Sequence, residues 1–285
     1  ARGTDAARFI SDDDYCFGYA TRADFDADSY GWQKRLAAGV EYDVVDGAGD
    51  PVFGDAFETI VRCKNHGRIS DPGAYVCALA DHFVTAGGQL DICEVQDITT
   101  QNGAITALMT SNGEMTADRF VFAMGPWSKE IAHKLGVKVP FESERGYHIE
   151  FMNPSQMPTS PMMVASGKFV LTPMDGRLRA AGVIEFGGLE NGPSRGPFEL
   201  LRRQVKAILP DLQFDDVVEW MGHRPAPSDS LPLIGEVATS GVFTAFGHQH
   251  IGLTGGAKTG RMVADLISGR PMNLDMRPFA PDRFA

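Results

Sequence analysis

The chain has 285 residues, 43% of them hydrophobic, and a formal net charge of -11, which is apolar material enough for one large core or two. An acidic chain without a basic stripe offers no footprint for a phosphate backbone, so neither nucleic acid nor a strongly anionic membrane surface is expected as a partner. Four cysteines without C-x-x-C spacing argue against a zinc site or a redox dithiol, and no apolar run is long enough to span a bilayer.

The thiols are expected to be reduced, in a cytoplasmic compartment, with peripheral membrane association left open. The chain opens Ala1-Arg2-Gly3 without an initiator methionine, the pattern expected of a piece of something longer.

In chain order, residues 15–20 read as a short strand and residues 24–38 as a polar helix with Phe25, Trp32 and Leu36 inward. Residues 40–45 read as a second strand. Gly47-Ala48-Gly49-Asp50-Pro51 begins like a dinucleotide fingerprint but has no third glycine and no apolar helix after it, so a surface turn is expected.

Ser70-Asp71-Pro72 is a helix start, with a capping side chain and proline in the first turn. Tyr75, Val76, Leu79 and Phe83 line one face of that helix until Gly87-Gly88 stops it. A meander follows over residues 90–98, 104–110 and 114–116, with Asn112-Gly113 as the hairpin signal.

Residues 119–123, Arg-Phe-Val-Phe-Ala, lack polar alternation and are expected to be buried on both faces. They lead through Met124-Gly125-Pro126-Trp127 into a helix over residues 128–135. Residues 144–151 alternate, so Arg145, Tyr147, Ile149 and Phe151 share one face and His148 the other, where a structural role is expected for it. Residues 167–174 and 177–186 form a hairpin about Asp175-Gly176. Ser194 opens a helix carrying Leu200, Leu201, Val205, Ile208 and Leu209, which Pro210 ends.

The C-terminal stretch, residues 222–269, is the most informative. Arg224 follows a strand over residues 217–221 and precedes Pro225 and Pro227, so its guanidinium stands on a stiff element. A second strand, residues 242–246, runs through the glycine-rich turn at residues 247–256 into a helix over residues 257–268. Gly260, Val263, Ala264 and Ile267 are expected against the sheet, and Gly269 in the closing position. Strand, bare backbone and helix start together make a place for negative charge.

Read together, Arg68-Ile69-Ser70-Asp71-Pro72, residues 119–128, Arg145-Gly146-Tyr147-His148 and residues 222–269 resemble the D-amino acid oxidase superfamily of FAD-dependent oxidoreductases. The resemblance is nearest to its D-amino acid dehydrogenase and glycine oxidase branch. It implies an α/β (α+β) fold in which the remainder of a Rossmann-like FAD domain, residues 62–139 and 219–285, is interleaved with a substrate domain. The latter, residues 1–61 and 140–218, is an antiparallel sheet covering the flavin ring.

The same resemblance implies FAD as cofactor and oxidation of a small amino acid at its α-carbon, with the electron acceptor open. Arg224 would hold the substrate carboxylate, assisted by Tyr147, for which a core tyrosine is the competing reading. Val95, Ala123, Gly125, Trp127, Gly247, His248, Gly252, Leu253 and Thr254 would lie on the cofactor. His248 and His250 have the spacing of a metal pair but no third ligand, so no metal is expected.

One departure stands out: the family's N-terminal βαβ unit with Gly-x-Gly-x-x-Gly is not found in this sequence. On that ground a fragment is expected, binding FAD weakly or not at all. Alternative readings are a flavin enzyme for an N-methyl amino acid or a 2-hydroxy acid, and a non-catalytic remnant or subunit completed by a separate nucleotide-binding chain.

Overall fold

The computed structural model describes residues 3–101, 104–238 and 240–285. Along the chain come β1 (Ile10–Tyr19), α1 (Arg22–Ala27), α2 (Ser29–Ala37), β2 (Tyr42–Asp46), β3 (Thr59–Ile69) and α3 (Pro72–Thr85). Then follow β4 (Val95–Gln101), β5 (Ala104–Thr110), β6 (Gly113–Met115), β7 (Phe120–Phe122), α4 (Ser128–Lys134) and β8 (Phe141–Met152). The remainder is β9 (Met162–Val164), β10 (Phe169–Met174), β11 (Arg177–Phe186), α5 (Arg195–Ile208), β12 (Asp216–Pro227), β13 (Leu233–Glu236), β14 (Val242–Phe246) and α6 (Gly252–Ile267). Among the described residues no helix is long and apolar enough to cross a membrane.

The chain divides into two compact units. The first comprises Ala1–Gly88, Gly146–Glu185 and Gly192–Gly222; the second comprises Gln89–Arg145, Phe186–Asn191 and His223–Ala285. Ala1 and Arg2 lie outside the described residues.

The first unit is built on a sheet of order β12-β8-β11-β10-β9-β1-β3-β2. Strand alternation gives it a dry face, where Tyr147, Ile149 and Phe151 of β8 and Leu178 and Ala180 of β11 pack with Phe198, Leu201 and Val205 of α5. Each such aliphatic or aromatic side chain taken from water contributes about 1.5–3 kcal/mol. β10 and β11 turn at Asp175-Gly176 as the hairpin signal predicts, with Gly176 at φ +68. The Gly47–Pro51 stretch is a turn, tied by the Asp50 carboxylate accepting from the Val52 and Phe53 amides at 2.9 and 3.1 Å.

Several local expectations need correction. The helix expected over residues 24–38 is two helices that meet at Asp28, with Trp32 buried on the Tyr19 hydroxyl at 2.9 Å and Leu36 exposed. Helix α3 starts as expected, the Asp71 carboxylate accepting from the Ala74 amide at 3.0 Å, but it buries Tyr75 and Ala78 and leaves Val76 and Phe83 exposed. The first meander strand begins at Val95, and Leu90 and Ile92 are exposed loop residues.

The second unit holds two three-stranded sheets, β4-β5-β6 and β13-β14-β7. In the latter β14 runs antiparallel to β13 and parallel to β7. Phe120 and Phe122 enter a core with Ile131, Ala132 and Phe246, but Val121 between them is exposed, so β7 is buried on one face only. Helix α6 seats Met262 and Val263 against Ile234 and Phe243. Gly260, Ala264 and Ile267, expected on the packed side with Val263, face outward. Gly269 closes the helix at φ +65, its amide bonding Leu266 O at 3.1 Å.

Candidate functional site

Within the second unit, the register of the parallel pair sets Val242 beside Phe120 and Thr244 beside Phe122. Both strands therefore end at the same edge, and each opens there on a glycine turn that leads to a helix. In open α/β sheets the carboxyl ends of parallel strands are where ligands bind, because bare backbone and helix starts collect there.

The first turn leaves β7 through exposed Ala123 and reaches Gly125 at φ +57, where a side chain would meet nothing within 4 Å. Its shape is held from below by the fully buried Ser128, whose hydroxyl accepts from the Met124 amide at 3.1 Å. Trp127, 60% exposed, sets its ring edge-on to His223 at 5.9 Å, and the His223 Nδ1 lies 2.8 Å from the Ser143 hydroxyl. Val95, half-buried at the start of β4, shares with Met124, Pro126 and Trp127 the wall of a cavity of about 800 Å3. The contact of His223 with Trp127 was not singled out in the sequence; its one signal there is adjacency to Arg224.

The second turn leaves β14 at Gly247, φ +91, and passes His248 before α6 begins at Gly252. The sequence reading set the helix start at Ala257. Glycines tolerate helical dihedrals, and Gly252, Leu253 and Thr254 are its first turn. That first turn has no side-chain cap, Gly256 has nothing within 4 Å of where a Cβ would stand, and Leu253 and Thr254 are exposed. The free N–H groups of a helix start favour a negative partner. His248 is half-buried beneath this turn, its Nε2 2.8 Å from the Thr259 hydroxyl, and burial lowers its pKa, keeping the imidazole neutral.

Arg224 stands near the end of β12, half-buried, with no hydrogen bond or ion pair among the described residues. Burial lowers its pKa and the charge of Glu144 opposes that shift, so the group is a desolvated but protonated guanidinium. Three residues on, Pro227 abuts the second turn: a Cβ on Gly247 would lie 2.8 Å from its Cγ. The Gln249 amide nitrogen also donates to the Ser230 hydroxyl at 3.1 Å. The strand that carries Arg224 is thereby tied to the glycine turn.

Tyr147 belongs to the first unit and is 1% exposed. Its hydroxyl donates to Glu185 Oε2 at 2.5 Å and accepts from the Ser194 amide at 3.0 Å, while its ring meets Phe198 edge-on at 5.1 Å. Those bonds make it a strut between β8, β11 and the start of α5, not a free hydroxyl for a ligand. Among the described residues no group of three or more His, Cys, Asp or Glu is arranged to hold a metal ion.

Two parallel strands that open on bare-backbone turns, one of them feeding an uncapped helix, define a cofactor-binding α/β sheet. The family described as FAD dependent oxidoreductase, DAO, matches residues 16–266, and the chain belongs to it. Over 275 residues the chain is 36% identical to the D-amino-acid oxidase of Bradyrhizobium diazoefficiens, covering 93% of this chain and 65% of that protein. It is 27% identical to the D-amino acid dehydrogenase of Allorhizobium ampelinum over 276 residues, 94% of this chain and 66% of the relative. The chain thus spans about two thirds of the length of these relatives. The crystal structure of glycine oxidase from Geobacillus kaustophilus superposes with a TM-score of 0.86 at 23% identity, covering 99% of this chain and 77% of that one.

The residues present fit the flavin nucleotide that the family uses. Gly125 and Gly256 leave open space at their Cβ positions, and the start of α6 has amides that no side chain caps. A phosphate or the electron-rich edge of a flavin suits both features.

Proposed function

We propose that the protein oxidises a small amino acid at its α-carbon. FAD, when bound, supplies the two-electron acceptor. Residues 62–139 and 219–285 are assigned to the FAD domain, and residues 1–61 and 140–218 to the substrate domain. The observation that carries the reading is Arg224: a half-buried guanidinium without a partner among the described residues, on a strand held against the glycine turn by the Pro227–Gly247 contact.

Arg224 receives the substrate carboxylate in a two-pronged hydrogen bond and so fixes the orientation of the Cα–H. Such charge-assisted bonds contribute about 1.5–3 kcal/mol each, and orientation can account for roughly 7–11 kcal/mol of a barrier. The amides of Gly252, Leu253 and Thr254 would hold the polar edge of FAD, where the dipole of α6 would favour negative charge. Neutral His248 braces that turn through Thr259 and adds no competing positive charge. The substrate enters as the free amine, so no side chain has to remove its ammonium proton.

The test is a panel of D-amino acids, glycine, sarcosine and 2-hydroxy acids with a dye as electron acceptor. Turnover of amino acids above the hydroxy acids supports the reading, and turnover of hydroxy acids alone refutes it.

A further inference from the structure

The glycine turn ahead of α6 is connected, within the second unit, to a guanidinium far along the chain. The Arg283 side chain is 10% exposed, and all five of its N–H donors are used. Its Nε and Nη2 grip the Asp229 carboxylate at 2.7 and 3.0 Å, and Nη2 also donates to Leu231 O at 2.6 Å. Its Nη1 donates to Pro232 O at 3.3 Å and to Ala280 O at 3.2 Å. Arg283, with the Leu231 amide adding to it, holds the Asp229 carboxyl below the usual carboxylate range. Pro281 seats the same segment on β13, where a Cβ on Gly235 would lie 2.8 Å from its Cδ.

The loop that Arg283 grips stores backbone strain. Ser230 stands at φ +65 and Gln249 at φ +48, and the Gln249 side-chain amide donates to the Ser230 hydroxyl at 3.1 Å. Two residues with side chains in the left-handed region, bonded to each other, persist only where their surroundings over-determine them. On the Ser230 side, its own amide bonds Pro227 O at 3.0 Å and the Ser228 amide bonds Pro140 O at 2.9 Å. On the other side, Gln249 opens the single 3-10 turn Gln249–Ile251, which delivers the chain to Gly252 at the start of α6. The backbone angles of Gln249 thus set where the uncapped amides of that helix start point.

We propose that Arg283 is a positioning residue for the cofactor turn: its grip on Asp229, Leu231 and Pro232 keeps Ser230 and Gln249 left-handed and so aims the first amides of α6. The service of those amides to FAD in amino-acid oxidation rests on the function proposed above. The link from Arg283 to α6 does not. A lysine would keep the charge opposite Asp229 but lose the planar fork and the donors that reach several carbonyls at once.

The experiment compares wild type, Arg283→Met, Arg283→Lys and Arg277→Met. Arg277 belongs to the same segment and pairs with Asp275 at 2.7 Å, but its side chain is 90% exposed, so it serves as the control. Hydrogen exchange is followed at the amides of residues 249–254, and FAD release from the holoenzyme by the rise of flavin fluorescence on dilution. Arg283→Met should speed both by at least roughly tenfold while exchange in β14 and in the last turns of α6 stays at the wild-type rate. Arg283→Lys should fall between the two, and Arg277→Met should match the wild type. Ser230→Ala in the Arg283→Met background should add less than it does in the wild type, since both act through Gln249.

Unchanged exchange at residues 249–254 in Arg283→Met overturns the proposal. So does faster exchange spread evenly over β13, β14 and the whole of α6, which would mean general loosening, or an equal effect of Arg277→Met. If Arg283→Met does not fold, Arg283→Lys carries the same comparison. Local loosening that depends on Arg283, in a protein that turns over no amino acid or releases FAD at an unchanged rate, supports the link to α6 and counts against the proposed reaction or the proposed FAD contact alone.

Discussion

Pro227 occupies the space that any side chain on Gly247 would need, with its Cγ 2.8 Å from the position of the missing Cβ. The glycine turn and the strand bearing Arg224 are fitted to each other at that point, and Gly247 is also held at φ +91. Gly247→Ala therefore meets a left-handed backbone cost of ~1–2 kcal/mol and a collision besides. A lower thermal midpoint is expected, together with loss of flavin retention on gel filtration. Gly260→Ala is the control: it lies in α6 beyond the first turn with open space at its Cβ position, and the gain in helix propensity is up to about 1 kcal/mol.

Arg224→Met removes the proposed carboxylate clamp and leaves no other cation in its place. The loss of about 1.5–3 kcal/mol corresponds to roughly a 10- to 150-fold fall in kcat/KM. Steady-state kinetics should show KM raised and kcat lowered together, since the remaining contacts do not fix the approach of the Cα–H. Unaltered kinetics would remove Arg224 from the site.

Tyr147→Phe leaves the Ser194 amide without its acceptor at the start of α5. The expected loss is about 1–3 kcal/mol of stability, measured as a shift of the urea midpoint. A tyrosine acting on the substrate would instead show its effect in KM at unchanged stability, and that outcome would restore the sequence reading.

His248 gives a pH dependence with a defined sign. Burial depresses its folded pKa below the unfolded value of about 6.5, so the unfolded chain takes up the proton first as pH falls. Its contribution to stability is complete above about pH 6.5 and is lost as pH drops through the folded value. In His248→Gln, which retains a donor toward Thr259, urea midpoints below pH 6.5 should fall less steeply than in the wild type.

Signals confined to a few residues were legible in the sequence. Asp71-Pro72 starts a helix because one carboxylate and one missing N–H decide it locally, and Asp175-Gly176 turns a hairpin for an equally local reason. The positions of Gly125, Gly247 and Arg224 at strand ends were legible through their punctuation. The direction of a face was not: alternation groups Tyr147 with Ile149 and Phe151 but does not say whether α5 or a ligand covers them. In the same way the helical period groups Gly260, Val263, Ala264 and Ile267, while only packing shows that Val263 alone of the four is buried. Glycines at residues 252–256 read as a loop, although they form the start of α6 once His248 and Thr259 support them.

The decisive measurement is anaerobic stopped-flow reduction of the FAD-loaded holoenzyme by D-alanine, followed by loss of the flavin's visible absorbance. Rapid bleaching is expected in the wild type, with half-saturation in Arg224→Met requiring at least roughly tenfold more substrate. No bleaching with any amino acid, or the same half-saturation in both proteins, would contradict amino-acid oxidation at a site governed by Arg224.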